Sequence, residues 1–178
     1  GLANLTIIEQ ALEIIEKIHG RKINIDDIPL NDKKTFKLFQ RGQTTGVFQL
    51  ESSGMKRYIK ALKPTVFEDI VAMVALYRPG PMQFIDDFIA RKNGKRQIKY
   101  SHQVLEPILK ETNGIIVYQE QVIQIANKVA GMSLAEADLL RRAMGKKDLK
   151  AMAEQKEKFT DGAVKNNIRK KISEEIFE

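Results

Sequence analysis

Apolar residues spaced three and four apart recur in segment after segment of this 178-residue chain, each segment bracketed by a residue that starts or stops a helix. That pattern commits the backbone to helices that must bury one face each. Leu5, Ile8, Leu12 and Ile15 form the first stripe, widened by Ile7, Ala11, Ile14 and Ile18, with Thr6 and Glu9 as a capping box and Gly20 as a left-handed stop. Asn31 or Asp32 opens a second helix reaching Arg41, and Ser52 or Ser53 a third ending at Leu62. Thr65 with Glu68 makes another capping box before Ile70 to Leu76. Further helices are predicted over 84–93, 105–111 and 119–130. Ser133 with Glu136 caps a helix over 134–144 that Gly145 ends, Asp148 caps one reaching about Asp161, and Ile172 to Phe177 begins a last one.

Only two stretches read as extended, Thr44 to Leu50 and Gly114 to Tyr118. The expected fold is therefore mainly α, a multi-helix arrangement with at most a few short strands. Leu5, Ile8, Leu12, Ile15, Ile70, Val74, Val122, Ile125, Ala126, Val129, Leu139 and Leu140 are the expected core. Phe48, Phe67, Phe84 and Tyr118 fall in apolar runs and are assigned to the core in preference to a role as base-stacking platforms. Tyr77-Arg78-Pro79-Gly80-Pro81 imposes a rigid turn, since proline lacks an N–H and disfavours helix in the residue before it.

Composition narrows the function. The chain has no cysteine and two histidines, which excludes disulfides and thiolate metal sites and makes a zinc role unexpected. No apolar run approaches the roughly 18 residues of a membrane helix, and the start, Gly-Leu-Ala-Asn, carries neither an initiator methionine nor a secretory signal. An internal piece of a cytoplasmic protein is expected. Thirty Lys and Arg against 23 Asp and Glu give a net charge of +7, which favours polyanionic partners without proving them.

The densest charge lies at the end of one short helix, where Arg141, Arg142, Lys146 and Lys147 fall within seven residues. Arginine forks bind phosphate oxygens bidentately and lysine acts as a mobile point charge, a mixture suited to a triphosphate. The alternative is a solvated helix end, with Asp138 and Arg142 as a surface i, i+4 pair worth only about 0.3–0.5 kcal/mol. Arg78, in the proline turn, is aimed either at nucleic acid or at another part of a larger protein, or bonds nearby backbone carbonyls. Arg91, Lys92, Lys95, Arg96 and Lys99 form a run of five bases without an acid, read either as a solvated loop or as sequence-independent contacts to a DNA backbone. Two-metal chemistry needs converging carboxylates, and the adjacent pairs Asp26-Asp27 and Asp86-Asp87 read as solvated surface, so no metal or catalytic residue is assigned.

Several long strings carry a resemblance. Glu136-Ala137-Asp138-Leu139-Leu140-Arg141-Arg142-Ala143-Met144-Gly145-Lys146-Lys147 resembles the fingers signature of the alpha subunits of bacterial DNA polymerase III, the C-family replicative polymerases. Thr44-Thr45-Gly46-Val47-Phe48-Gln49-Leu50-Glu51-Ser52, Leu76-Tyr77-Arg78-Pro79-Gly80-Pro81, Gly114-Ile115-Ile116-Val117-Tyr118-Gln119-Glu120-Gln121, and Lys158-Phe159 with Gly162-Ala163 agree in the same order, so the similarity covers essentially the whole chain. The pattern departs at Asn166-Asn167-Ile168, where the family usually has Asn-Gly-Ile; asparagine tolerates the left-handed position that this turn needs.

The resemblance implies residues 1–20 as a helix leading out of the palm and 21–178 as an incomplete fingers region. It places the palm carboxylates upstream of Gly1, with Mg2+ required by the whole polymerase and no cofactor in this portion. It also implies that Arg141 and Arg142 meet the phosphates of an incoming deoxynucleoside triphosphate. Primer-template DNA, the remaining palm and thumb, and replisome subunits are the implied partners. The competing class is a stand-alone basic helical module that binds nucleic acid or protein without catalysis.

Overall fold

The computed structural model describes residues 2–146 and 149–178. Ten α-helices joined by turns and short 3-10 segments account for the described residues, and no strand is found among them. The chain divides into two compact units, residues 1–71 and 72–178, with the boundary inside a helix.

The first unit holds α1 (Leu2–His19), α2 (Lys33–Gln40), α3 (Ser53–Leu62) and the start of α4 (Phe67–Leu76). Asp32 caps α2 by accepting from the Thr35 N–H at 2.8 Å, and Ser52 caps α3 through the Met55 N–H at 3.2 Å. α2 packs on α3, and Phe36, Leu50, Met55, Ile59, Leu62 and Ile70 are buried in this unit. The predicted box at Thr65 and Glu68 is shifted by one residue. The Asp69 carboxylate accepts from the Thr65 and Val66 N–H groups at 2.9 and 3.2 Å, because α4 starts at Phe67 and places Asp69 on its third position.

Several expectations fail here. α1 begins at Leu2, so Thr6 lies inside the helix and not at its start; Leu12 and Ile15 are half-buried, but Leu5 and Ile8 are 62% and 44% exposed. Periodicity marks the apolar side of a helix and is silent on what covers it. Thr44 to Leu50 is a succession of turns instead of a strand, with Gly46 and Gln49 at φ of +77° and +62°. The buried Thr44 hydroxyl closes this loop by donating to the Leu50 carbonyl at 2.5 Å, which leaves Phe48 60% exposed. Phe67 is also exposed.

The second unit is built around α7 (Gln119–Ala130), which packs against α8 (Leu134–Lys146) and α9 (Leu149–Lys165), while α10 (Lys170–Phe177) packs on α9. Leu105, Ile108 and Leu109, around α6 (Glu106–Leu109), join Ile125, Ala126, Val129, Leu140, Phe159 and Ile168 in one apolar core. α4 stops at Leu76; the proline turn follows with Gly80 at φ +98°, and α5 (Ile85–Lys92) resumes the helix. Ile125, Ala126, Val129 and Leu140 are buried as expected, Val74 and Val122 are half-buried, and Leu139 is 56% exposed because Ala137, Leu140 and Ala143 form the inward stripe of α8. Phe84 is exposed and Tyr118 half-buried.

Gly114 to Tyr118 is a loop held by side chains and not by a strand ladder. The buried Gln121 amide accepts from the Val117 and Tyr118 N–H groups and donates to the Ile108 carbonyl and the Thr112 hydroxyl. Gly145 does not end α8, which runs through it to Lys146; glycine permits a left-handed stop without requiring one. Asn167 does take the left-handed turn after α9, at φ +62°. Asp148, the expected cap of α9, lies outside the described residues.

Candidate functional site

Helix α8 begins with a complete capping box. The Ser133 N–H and hydroxyl donate to the Glu136 carboxylate at 2.8 and 2.7 Å, and Ser133 Oγ accepts from the Glu136 N–H at 3.3 Å. The Ser133 side chain, followed by its backbone N–H, holds the Glu136 carboxyl below the usual range. With its start fixed this way and Ala137, Leu140 and Ala143 turned inward, α8 carries Asp138, Arg141 and Arg142 away from the core.

Asp138 is the hub of this surface. One carboxylate oxygen receives Nε of Arg141 at 2.8 Å and the other Nε of Arg142 at 2.7 Å. The hydrogen bond from Arg141, helped by the charges of both arginines, holds the Asp138 carboxyl below its ordinary value against the opposing effect of desolvation. Arg141 also donates from Nη1 to Oε1 of Gln119, the first residue of α7, at 3.0 Å. Arg141 is therefore fixed by two helices, with its side chain 29% exposed, whereas the Arg142 side chain is 64% exposed. Lys146 is exposed at the end of α8, and Lys147 lies outside the described residues.

The second basic group is divided by its bonding partners. Arg91 turns inward: Nη1 donates to the carbonyls of Asn113 and Gly114 at 3.2 and 3.1 Å, and Nη2 pairs with Asp87 at 2.6 Å. Gly114 makes this possible, since a Cβ there would lie 2.8 Å from Ile98 Cγ2 and 3.0 Å from Arg91 Nη1. Arg96 pairs with the same Asp87 from a more exposed position. Asp87 is thus half-buried and doubly paired, unlike the solvated surface residue expected of it; Asp86 is exposed. Lys92 is half-buried, and Lys95, Lys99 and Arg78 are exposed.

Sequence reasoning misses Gln119 and the sharing of Asp138 between two arginines. The first depends on the packing of α7 against α8 and has no local signal. The second is present in the spacing, because Arg141 and Arg142 lie three and four residues after Asp138. Among the described residues no three His, Asp or Glu side chains gather as a metal site, and no helix is long and apolar enough to cross a membrane.

The finger domain of the bacterial DNA polymerase III alpha subunit matches residues 4–167. This chain belongs to that family. DNA polymerase III subunit alpha of Halalkalibacterium halodurans is 52% identical over 178 residues, and that of Pseudomonas aeruginosa 51% and that of Escherichia coli (strain K12) 50% identical over 189. Each match covers 100% of this chain and 16% of the relative, so the finger-domain chain spans about a sixth of the length of these relatives. The helices of the described residues, with no strand among them, agree with the mainly α fold expected from the helical periodicity.

Proposed function

We propose that this finger-domain chain is the portion of a template-directed DNA polymerase that binds the triphosphate of the incoming deoxynucleotide and touches primer-template DNA. The carrying observation is the paired guanidinium groups of Arg141 and Arg142 on one side of α8, gathered by a single carboxylate. A triphosphate held in line with a primer hydroxyl sheds charge onto the leaving pyrophosphate, and forked cations can bond that charge at two oxygens. Arg142, the more exposed, and Arg141, tied also to Gln119, both meet the phosphates; Lys146, with Lys147 next to it in the sequence, supplies auxiliary positive charge. The family resemblance implies that the carboxylates holding the magnesium ions of such chemistry lie elsewhere in the polymerase, and in this reading the present chain supplies charge and position.

In the full-length cytoplasmic enzyme, Arg142→Ala should lower kcat/KM for the incoming nucleotide about ten- to a hundredfold, the loss of a charge-assisted interaction of roughly 1.5–3 kcal/mol. Arg142→Lys should recover part of this, because charge is kept and the fork is not. Arg141→Ala should show a similar kinetic loss with a small drop in Tm, since it also breaks the tie to Gln119. Steady-state incorporation kinetics with Tm alongside check these outcomes, and near wild-type efficiency in both alanine variants removes the assignment.

Arg78, Lys92, Lys95, Arg96 and Lys99 are proposed to meet the DNA backbone, with Arg91 turned instead onto the Asn113 and Gly114 carbonyls. Replacing Lys95 and Lys99 by alanine should flatten the dependence of log affinity on log salt by about 0.9 for each phosphate that is no longer neutralised, with no change in sequence preference. Titrating DNA binding at several salt concentrations measures that slope; an unchanged slope excludes both lysines.

A further inference from the structure

Consecutive residues on a helix point about 100° apart, so two neighbouring arginines naturally diverge. A residue three and four positions earlier lies on the next turn between them, and Asp138 occupies that position. Its two oxygens each take one Nε, at 2.8 and 2.7 Å, so the contact uses the side edge of each guanidinium. Gln119 fixes Arg141 from the neighbouring helix, and Arg142 is then referred to Arg141 through the shared carboxylate.

We infer that Asp138 is a positioning residue, holding the Arg141 and Arg142 guanidinium groups together so that both meet one polyphosphate. This inference rests on the assignment of the two arginines to the nucleotide's phosphates. The carboxylate has a cost, since it removes one unit of positive charge next to an anionic ligand. Its benefit is that two long, rotamer-rich side chains are ordered before the ligand arrives. The net sign is therefore a measurable property of the site: a positioning carboxylate strengthens nucleotide binding, and a merely competing anion weakens it.

The test is steady-state incorporation by the full-length polymerase carrying Asp138→Asn, Asp138→Glu, Arg142→Ala, or Asp138→Asn with Arg142→Ala. Asparagine puts an NH2 donor where one of the two carboxylate oxygens stands, so in this arrangement one arginine loses its acceptor. It should raise KM for the nucleotide about five- to tenfold, with kcat changed less than about twofold and Tm and primer-template affinity close to wild type. Glutamate, which keeps both oxygens, should recover a large part of the loss. In the double variant, Asp138→Asn should add less to the Arg142→Ala loss than it causes alone, because the residues act as a unit. A lower KM in Asp138→Asn identifies a competing anion and overturns the inference. A drop in Tm with normal KM identifies a structural pair and overturns it equally. If Arg142→Ala lowers efficiency while Asp138→Asn leaves KM unchanged, only the positioning role falls; if Arg142→Ala is itself neutral, the phosphate assignment falls with it.

Discussion

Gly162→Ala should destabilise the second unit by about 3 kcal/mol or more, although the same change inside an exposed helix would add roughly 1 kcal/mol of stability. The reversal comes from how closely α9 approaches the end of α7. A Cβ on Gly162 would sit 2.1 Å from the Ala130 carbonyl oxygen and 3.0 Å from its carbon. The obstruction is backbone, so no rotamer change relieves it; the helices must separate. Separation would also pull on the Asn166 side chain, which donates to the Val129 carbonyl at 3.0 Å, and open the core where Ala163 and Phe159 pack. Thermal unfolding should show Tm lowered by roughly 6–12 °C. A Tm equal to or above wild type would mean that α7 and α9 do not approach this closely.

Gln121→Leu should cost about 3–4 kcal/mol even though leucine matches the apolar surroundings, because buried polar groups lose their partners. Oε1 accepts from the Val117 and Tyr118 N–H groups at 2.8 and 3.0 Å, and Nε2 donates to the Ile108 carbonyl at 3.2 Å and the Thr112 hydroxyl at 2.9 Å. Thr112 in turn donates to the Ile115 carbonyl at 2.6 Å. One amide thus links the end of α6, the following loop and the start of α7. The loss should appear in denaturant titration as a lower midpoint, and an unchanged midpoint would contradict the network.

Helix placement is largely readable from the sequence because it depends on local chemistry: Ser133 with Glu136, Asp32, Ser52 and Gly131 act within a few residues of themselves. The two failed strands show the limit. Thr44 to Leu50 and Gly114 to Tyr118 are apolar enough for strands, yet each is held by one buried side chain, Thr44 or Gln121, whose role is set by tertiary packing. The exposed side of α1 fails for a related reason, since a stripe cannot name its own cover. At the candidate site the charges are visible in the sequence. The inward turn of Arg91 is not, because it depends on carbonyls more than twenty residues away.

The nucleotide's equilibrium affinity for the full-length polymerase on a non-extendable primer-template tests the central claim most directly, since it isolates phosphate binding from chemistry. Arg142→Ala should weaken that affinity about ten- to a hundredfold while leaving primer-template affinity unchanged, and Arg142→Lys should fall between the two. Equal nucleotide affinity in wild type, Arg141→Ala and Arg142→Ala would contradict the claim and leave the arginines of α8 as a surface ion-pair cluster.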